Sequence, residues 1–135
     1  MSWWSRRRNQ EPLTRTKRVD EVERYFFVWE DVLSPRENIL TSSWQSDSGI
    51  TIDSHAIMVT EYLIEHMSGA HSYSVPGQST LVVVSGGADK KTYGITNTIT
   101  TDRGRTLART RHICVVDMRD GPAYGGTYTN RQQYF

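Results

Sequence analysis

A period of two runs through the middle of this chain. Between Lys91 and Thr101, the side chains of Tyr93, Ile95, Asn97 and Ile99 share one face of an extended segment, and a Thr-rich run of this length is strand rather than helix chemistry. Asp102-Arg103-Gly104 breaks the run. Arg105 to Val116 then returns with Leu107, Arg109, Arg111, Ile113 and Val115 opposing Thr106, Ala108, Thr110, His112, Cys114 and Val116. The pattern predicts a long hairpin that grows more apolar toward Val116, with its arginine-rich half turned to solvent or a neighbour.

The same reading supplies the other strands. Tyr25-Phe26-Phe27-Val28-Trp29 is the first, rich in aromatic and β-branched residues. Ser34-Pro35-Arg36-Glu37-Asn38 has turn chemistry, so Ile39 to Ser46 is expected to return as its partner, with Leu40, Ser42 and Trp44 on one face and Trp44 leading into the core. Asp47-Ser48-Gly49 precedes a short strand, Ile50 to Ile52. Ile57 to Glu65 fits alternation better than a helical face and is taken as strand. Thr80 to Ser85 is a buried strand, and Gly86-Gly87-Ala88-Asp89 is expected to turn it into a hairpin. About seven short strands, with no helix to cover a parallel sheet, predict an all-β chain: a single immunoglobulin-like β-sandwich spanning residues 19–117.

Composition narrows the picture. The 135 residues suffice for one small core, and sixteen basic against fifteen acidic residues leave a net charge of +1, too little for a global field toward nucleic acid or an anionic membrane. A lone Cys114 excludes an internal disulfide and a cysteine-rich zinc site. No run reaches the roughly 18 apolar residues of a helical membrane span, and the basic start lacks the apolar body of a secretory signal.

Charge is concentrated in residues 1–18, where Arg6, Arg7, Arg8, Arg15, Lys17 and Arg18 face a single acid, Glu11; this segment reads as a basic flexible arm. Residues 118–135 read as a Gly/Tyr-rich tail. Trp3, Trp4, Arg6, Arg7 and Arg8 in the arm, with Tyr124, Tyr128, Tyr134 and Phe135 in the tail, are candidate protein-interface residues, because Trp, Tyr and Arg dominate interface hot spots. Stacking and phosphate contacts by the arm would instead suit nucleic acid, the second reading, and insertion into a membrane interface is the third.

Chemistry for catalysis is scarce. His55, His66, His71 and His112 lack the spacing of metal ligands, so no metal or cofactor is expected. Glu61, Glu65 and His66 could serve a small hydrolase, but adjacent strand residues face opposite ways and a solvated polar edge is the favoured reading. Ser85 to Lys91 lacks the spacing of a phosphate loop and leads into a strand. No catalytic residue is assigned.

From Phe27 to Asp117, about two-thirds of the chain, the order of elements resembles the bacteriophage fibre-to-tail adaptors. The residues that carry the resemblance are Phe27 to Pro35, the Trp-bearing Ile39 to Trp44, the Val84-Ser85-Gly86-Gly87 turn, and Tyr93 to Arg111 with its Thr-Asn-Thr-Ile-Thr-Thr strand at Thr96 to Thr101. The sequence departs from that pattern between Ile52 and Thr80 and in its two arms. The resemblance implies a non-enzymatic virion protein, made in the host cytoplasm and placed in the tail. Its partners would be fibre, tail or neck proteins, its state a ring-forming homo-oligomer, with no cofactor and no membrane. A nucleic-acid-binding accessory protein using the basic arm is the alternative.

Overall fold

The computed structural model describes residues 14–65, 70–117 and 132–135. Ten strands run through them and, among these residues, no helix: β1 (Thr14–Arg18), β2 (Glu23–Val28), β3 (Ile39–Ser46), β4 (Ile50–Ile57), β5 (Leu63–Glu65), β6 (His71–Tyr73), β7 (Ser79–Gly86), β8 (Lys91–Thr101), β9 (Thr106–Val116) and β10 (Gln132–Tyr134). Eight of them form two four-stranded sheets, ordered β1-β9-β8-β3 and β10-β2-β7-β4, while β5 and β6 pair apart. The sheets stack as a sandwich, as the alternation predicts. Tyr25 and Phe27 of β2, Ile50 of β4 and Val82 and Val84 of β7 meet Ile39 of β3, Tyr93, Ile95 and Ile99 of β8, and Ile113 and Val115 of β9 in one core. Each strand contributes alternate residues, so burying one face of each sheet against the other removes the apolar set from water.

Chain neighbours are mostly not sheet neighbours. The Ser34-Pro35 turn carries the chain from β2 to β3 in the opposite sheet, and the Gly86-Gly87 turn likewise carries it from β7 to β8. Neither is the hairpin that the turn residues suggest; β8–β9 and the small β5–β6 pair are hairpins. Turn chemistry fixes where the chain reverses, whereas burial of the apolar faces decides which sheet it enters. Gly86 and Gly87 have φ of +82° and +97°, and a Cβ on Gly87 would lie 2.6 Å from Val115 Cγ2. Gly87→Ala is therefore expected to cost about 1–3 kcal/mol, read as a lower urea midpoint at unchanged slope.

A β-bulge between Ile39 and Thr41 shifts the face of β3. Ile39 points into the core and Leu40 is 60% exposed, while Trp44 is only partly buried, packing edge-on against Phe27 at 4.9 Å between ring centroids. The pattern had placed Leu40 inward because an extra residue in the ladder leaves no mark in the alternation. β4 continues past Ile52 to Ile57 through a second irregularity between Ile52 and Ser54. The span from Ile57 to Glu65 is not one strand: Met58 donates its N–H to Ser79 O and accepts from Gly77 N, and pairing resumes only at Leu63.

Both ends of the chain enter the sheets. β1 pairs in parallel with β9 and β10 in parallel with β2, so residues 14–18 and 132–134, assigned by composition to arm and tail, are strands. Five or fewer residues along an existing strand edge need little apolar pattern of their own, since the ladder is supplied by the partner.

Candidate assembly surface

The edge where β1 and β10 meet is the place where both chain ends join the sandwich. Gln133 Nε2 donates to Thr16 O at 2.8 Å, and the Arg15 guanidinium donates to Tyr134 O while lying 5.6 Å from the centre of the Phe135 ring. Phe135 is buried, in contact with Tyr25 and Phe27. Lys17 is buried as well: its ammonium donates to the carbonyls of Arg18 at 2.6 Å, Val19 at 3.4 Å and Gly86 at 2.8 Å, tying β1 to the end of β7 across the sandwich. Burial lowers its pKa, opposed first by the charge of Glu23. Glu23 sits in the same pocket. Burial, together with Glu21 and against the hydrogen bond from Gln133, pushes its carboxyl up to about 7.

On the outer face of the second sheet, Phe26 stacks with Tyr62 at 4.5 Å and with Tyr134 at 5.3 Å, and the Tyr134 hydroxyl donates to Leu63 O. The β5–β6 pair is thereby held against the C-terminal strand, with Ser74 and Tyr62 closing it through reciprocal backbone and hydroxyl bonds at 2.8 Å. Leu63 and Tyr73 are cross-strand partners there, so they share a face, and they are 40% and 65% exposed. Val59 and Val75 in the same segment are exposed too. Leu63 and Tyr73 thus form a small exposed apolar pair beside Tyr134, the candidate contact of this face.

The far end of the sandwich is pinned by charge. Glu37 is buried and accepts from Arg105 Nη2 at 2.6 Å, Arg105 Nε at 2.9 Å, Thr101 Oγ1 at 2.5 Å and Ser34 N at 2.9 Å. Those bonds, Arg105's first, hold its carboxyl down at about 2. Arg109 belongs to the same region, and it corrects the expectation of an outward arginine face: its guanidinium lies 4.4 Å from the Trp29 ring centre, donates to Val28 O and pairs with Asp31. A guanidinium stacked on an indole, with its N–H groups on a carbonyl and a carboxylate, satisfies an inward-facing cation.

Of the interface residues expected from sequence, Trp3, Trp4, Arg6, Arg7, Arg8, Tyr124 and Tyr128 lie outside the described residues. Tyr134 is half-buried in the aromatic stack and Phe135 is in the chain's own core, which removes Phe135 from the surface in this arrangement. Sequence reasoning missed Leu63 and Tyr73: Leu63 lay in the alternating run from Ile57 to Glu65, but Ser72 to Ser79 was expected to be a loop, whereas Ser72 and Tyr73 belong to β6, which places Tyr73 beside Leu63. His55, His71 and His112 are on three different strands, and among the described residues no group of three His, Cys, Asp or Glu side chains converges as metal ligands.

A family model described as podophage GP4 fiber-tail adaptor protein gp77 matches residues 17–114. The chain belongs to this adaptor family. The match begins at the buried Lys17 and ends two residues before β9 does, so it covers β2 to β8 and nearly all of β9, with the β5–β6 pair included, and leaves residues 1–16 and β10 outside it. No curated protein matches the chain. A structural role in the phage tail is thus the role of this adaptor's family.

Proposed function

We propose that this adaptor links the tail or neck of the virion to receptor-binding fibres through protein–protein contacts alone, as copies repeated in a ring. Folding takes place in the host cytoplasm, and incorporation follows. Family membership over residues 17–114 carries the reading. The placement of the ends supports it: residues 1–13 attach at the Thr14 end of β1, while the segment leading to β10 starts beyond Val116, opposite Arg18 at the other end of that strand. Two long segments thus leave opposite ends of one sandwich edge, the arrangement a connector needs to touch a neighbour on each side. The exposed Leu63–Tyr73 pair adds an apolar contact, and repetition around a symmetric tail turns modest contacts into avidity. An immunoglobulin-like description is supported by the strand order, β9-β8-β3 against β2-β7-β4, which corresponds to strands G-F-C against B-E-D, with Trp44 on the strand in the C position.

Removing residues 1–13, and not the strand that follows, tests the reading. The shortened chain is expected to keep the thermal midpoint of the full chain and to enter tails roughly tenfold less or worse, since one of its linked contacts is gone. Incorporation at the normal level would count against the arm as a contact.

A further inference from the structure

Two connections cross between the sheets at one end of the sandwich. Arg18 lies opposite Val116 in the β1–β9 pair and Arg24 opposite Gln132 in the β2–β10 pair, so β1 and β9 finish where β2 and β10 begin. Four residues, Val19–Val22, make the crossing from β1 to β2. The crossing from β9 to β10 starts and ends one strand away from that one, yet it contains fifteen residues, Asp117–Arg131, with glycine at 121, 125 and 126. Fully extended, such a link reaches about 50 Å, far more than adjacent strands require.

The link delivers a short strand on which the fold relies heavily. Phe135 donates its N–H to Phe26 O at 2.7 Å and accepts from Val28 N at 3.2 Å, and its ring packs at 5.6 Å from Tyr25 and 5.1 Å from Phe27. Tyr134 completes the stack on Phe26, and Gln133 bonds β1. Without this strand, the edge of β2 is open and the core lacks one aromatic ring.

We propose that β10 is an exchange strand: in the assembled tail, residues 132–135 of one copy lie along β2 of the adjacent copy, with Phe135 in that copy's core. The proposal rests on the reading that copies stand side by side in the tail. The groove and its hydrogen bonds are the same whether the strand comes from its own chain or from the next, so exchange changes only the entropy of the link, which grows slowly with length. Strand addition to an open edge is an established mode of recognition, and a head-to-tail series of such exchanges closes into a ring when the rotation between copies allows.

The test places a photo-cross-linker in the groove. In the full chain, Phe135 is replaced by p-benzoylphenylalanine, tails containing the chain are irradiated, and the denatured products are separated by size and mapped by mass spectrometry. Cross-links from residue 135 to residues 23–28 that run as a ladder of multiples of the 15.5 kDa chain are expected. Cross-linked chains that run only as monomers overturn the proposal, as do cross-links to a different tail protein. Absence of the unsubstituted chain from tails, by contrast, defeats the adaptor reading itself. A second variant separates length from contact: deletion of residues 123–130 leaves seven linking residues, enough to close within one chain but not to reach another. This variant is expected to keep the full chain's thermal midpoint and lose incorporation, and eight Gly/Ser residues inserted in place of the deleted ones restore it. Normal incorporation of the shortened chain, or failure of the Gly/Ser link to restore it, overturns the exchange.

Discussion

Asn97→Leu is expected to destabilise this adaptor by about 2–5 kcal/mol, a large part of the stability of a domain of this size. Asn97 is fully buried between the sheets and uses its whole amide: Oδ1 accepts from Trp29 Nε1 at 3.0 Å and from Thr80 Oγ1 at 2.7 Å, while Nδ2 donates to Ser42 Oγ at 2.8 Å and Ser43 O at 3.0 Å. Trp29 and Thr80 belong to one side of the sandwich, Ser42, Ser43 and Asn97 to the other. Leucine keeps the same branched shape and number of heavy atoms and is somewhat larger, so the loss arises not from a cavity but chiefly from two buried donors, an indole N–H and a hydroxyl, left without an acceptor. Urea denaturation checks the size of the effect. A change within 0.5 kcal/mol, the scale of an ordinary surface substitution, would mean that the amide is not the cross-link between the sheets. Thr110→Ala on the exposed face of β9 is the control, its Oγ1 meeting, among the described residues, Thr96 Oγ1 alone.

The second large effect is on the pH profile. Glu37 is held at about 2 against an ordinary 4.5, so it contributes stability that is complete above about pH 4.5 and is lost as the pH falls through about 2. Glu23 works in the opposite sense. Its folded value of about 7 lies above the ordinary 4.5, so the folded chain holds a proton that the unfolded chain releases, and stability declines as the pH rises from about 4.5 through about 7. The urea midpoint of the full chain is therefore expected to be greatest near pH 4.5–5. Glu37→Gln flattens the acid limb and lowers the thermal midpoint at neutral pH by on the order of 10 °C, because Arg105 loses its carboxylate. Glu23→Gln flattens the neutral limb and raises stability at pH 7. A profile that is flat from pH 3 to pH 8 in the unsubstituted chain would show that neither carboxylate is displaced in the folded state.

Several elements were legible because one local property determines each. The β8–β9 hairpin follows from alternation over eleven residues on each arm and a Gly-containing turn, and the face that Tyr93, Ile95, Asn97 and Ile99 share is the buried one. β3 has the bounds that its flanking turns suggest, yet its face was misread at Leu40, since a bulge is decided by how the partner strand is met. Arg109 was misread for a related reason. Its charge implied solvent, but Trp29, eighty positions away in the chain, provides a ring to lie on, and no local pattern contains that ring.

By itself, then, the sequence determined the fold class, the bounds of the long strands, most of the inward faces and the resemblance that the family match bears out. These depend on a period of two and on turn residues, which are properties of neighbours along the chain. Only the tertiary structure decided which strands share a sheet, that residues 14–18 and 132–134 are strands at all, and that Phe135 is core. Those outcomes depend on unsatisfied backbone along β9 and β2 and on an aromatic-sized space between Tyr25 and Phe27, which exist only once the sheets have come together.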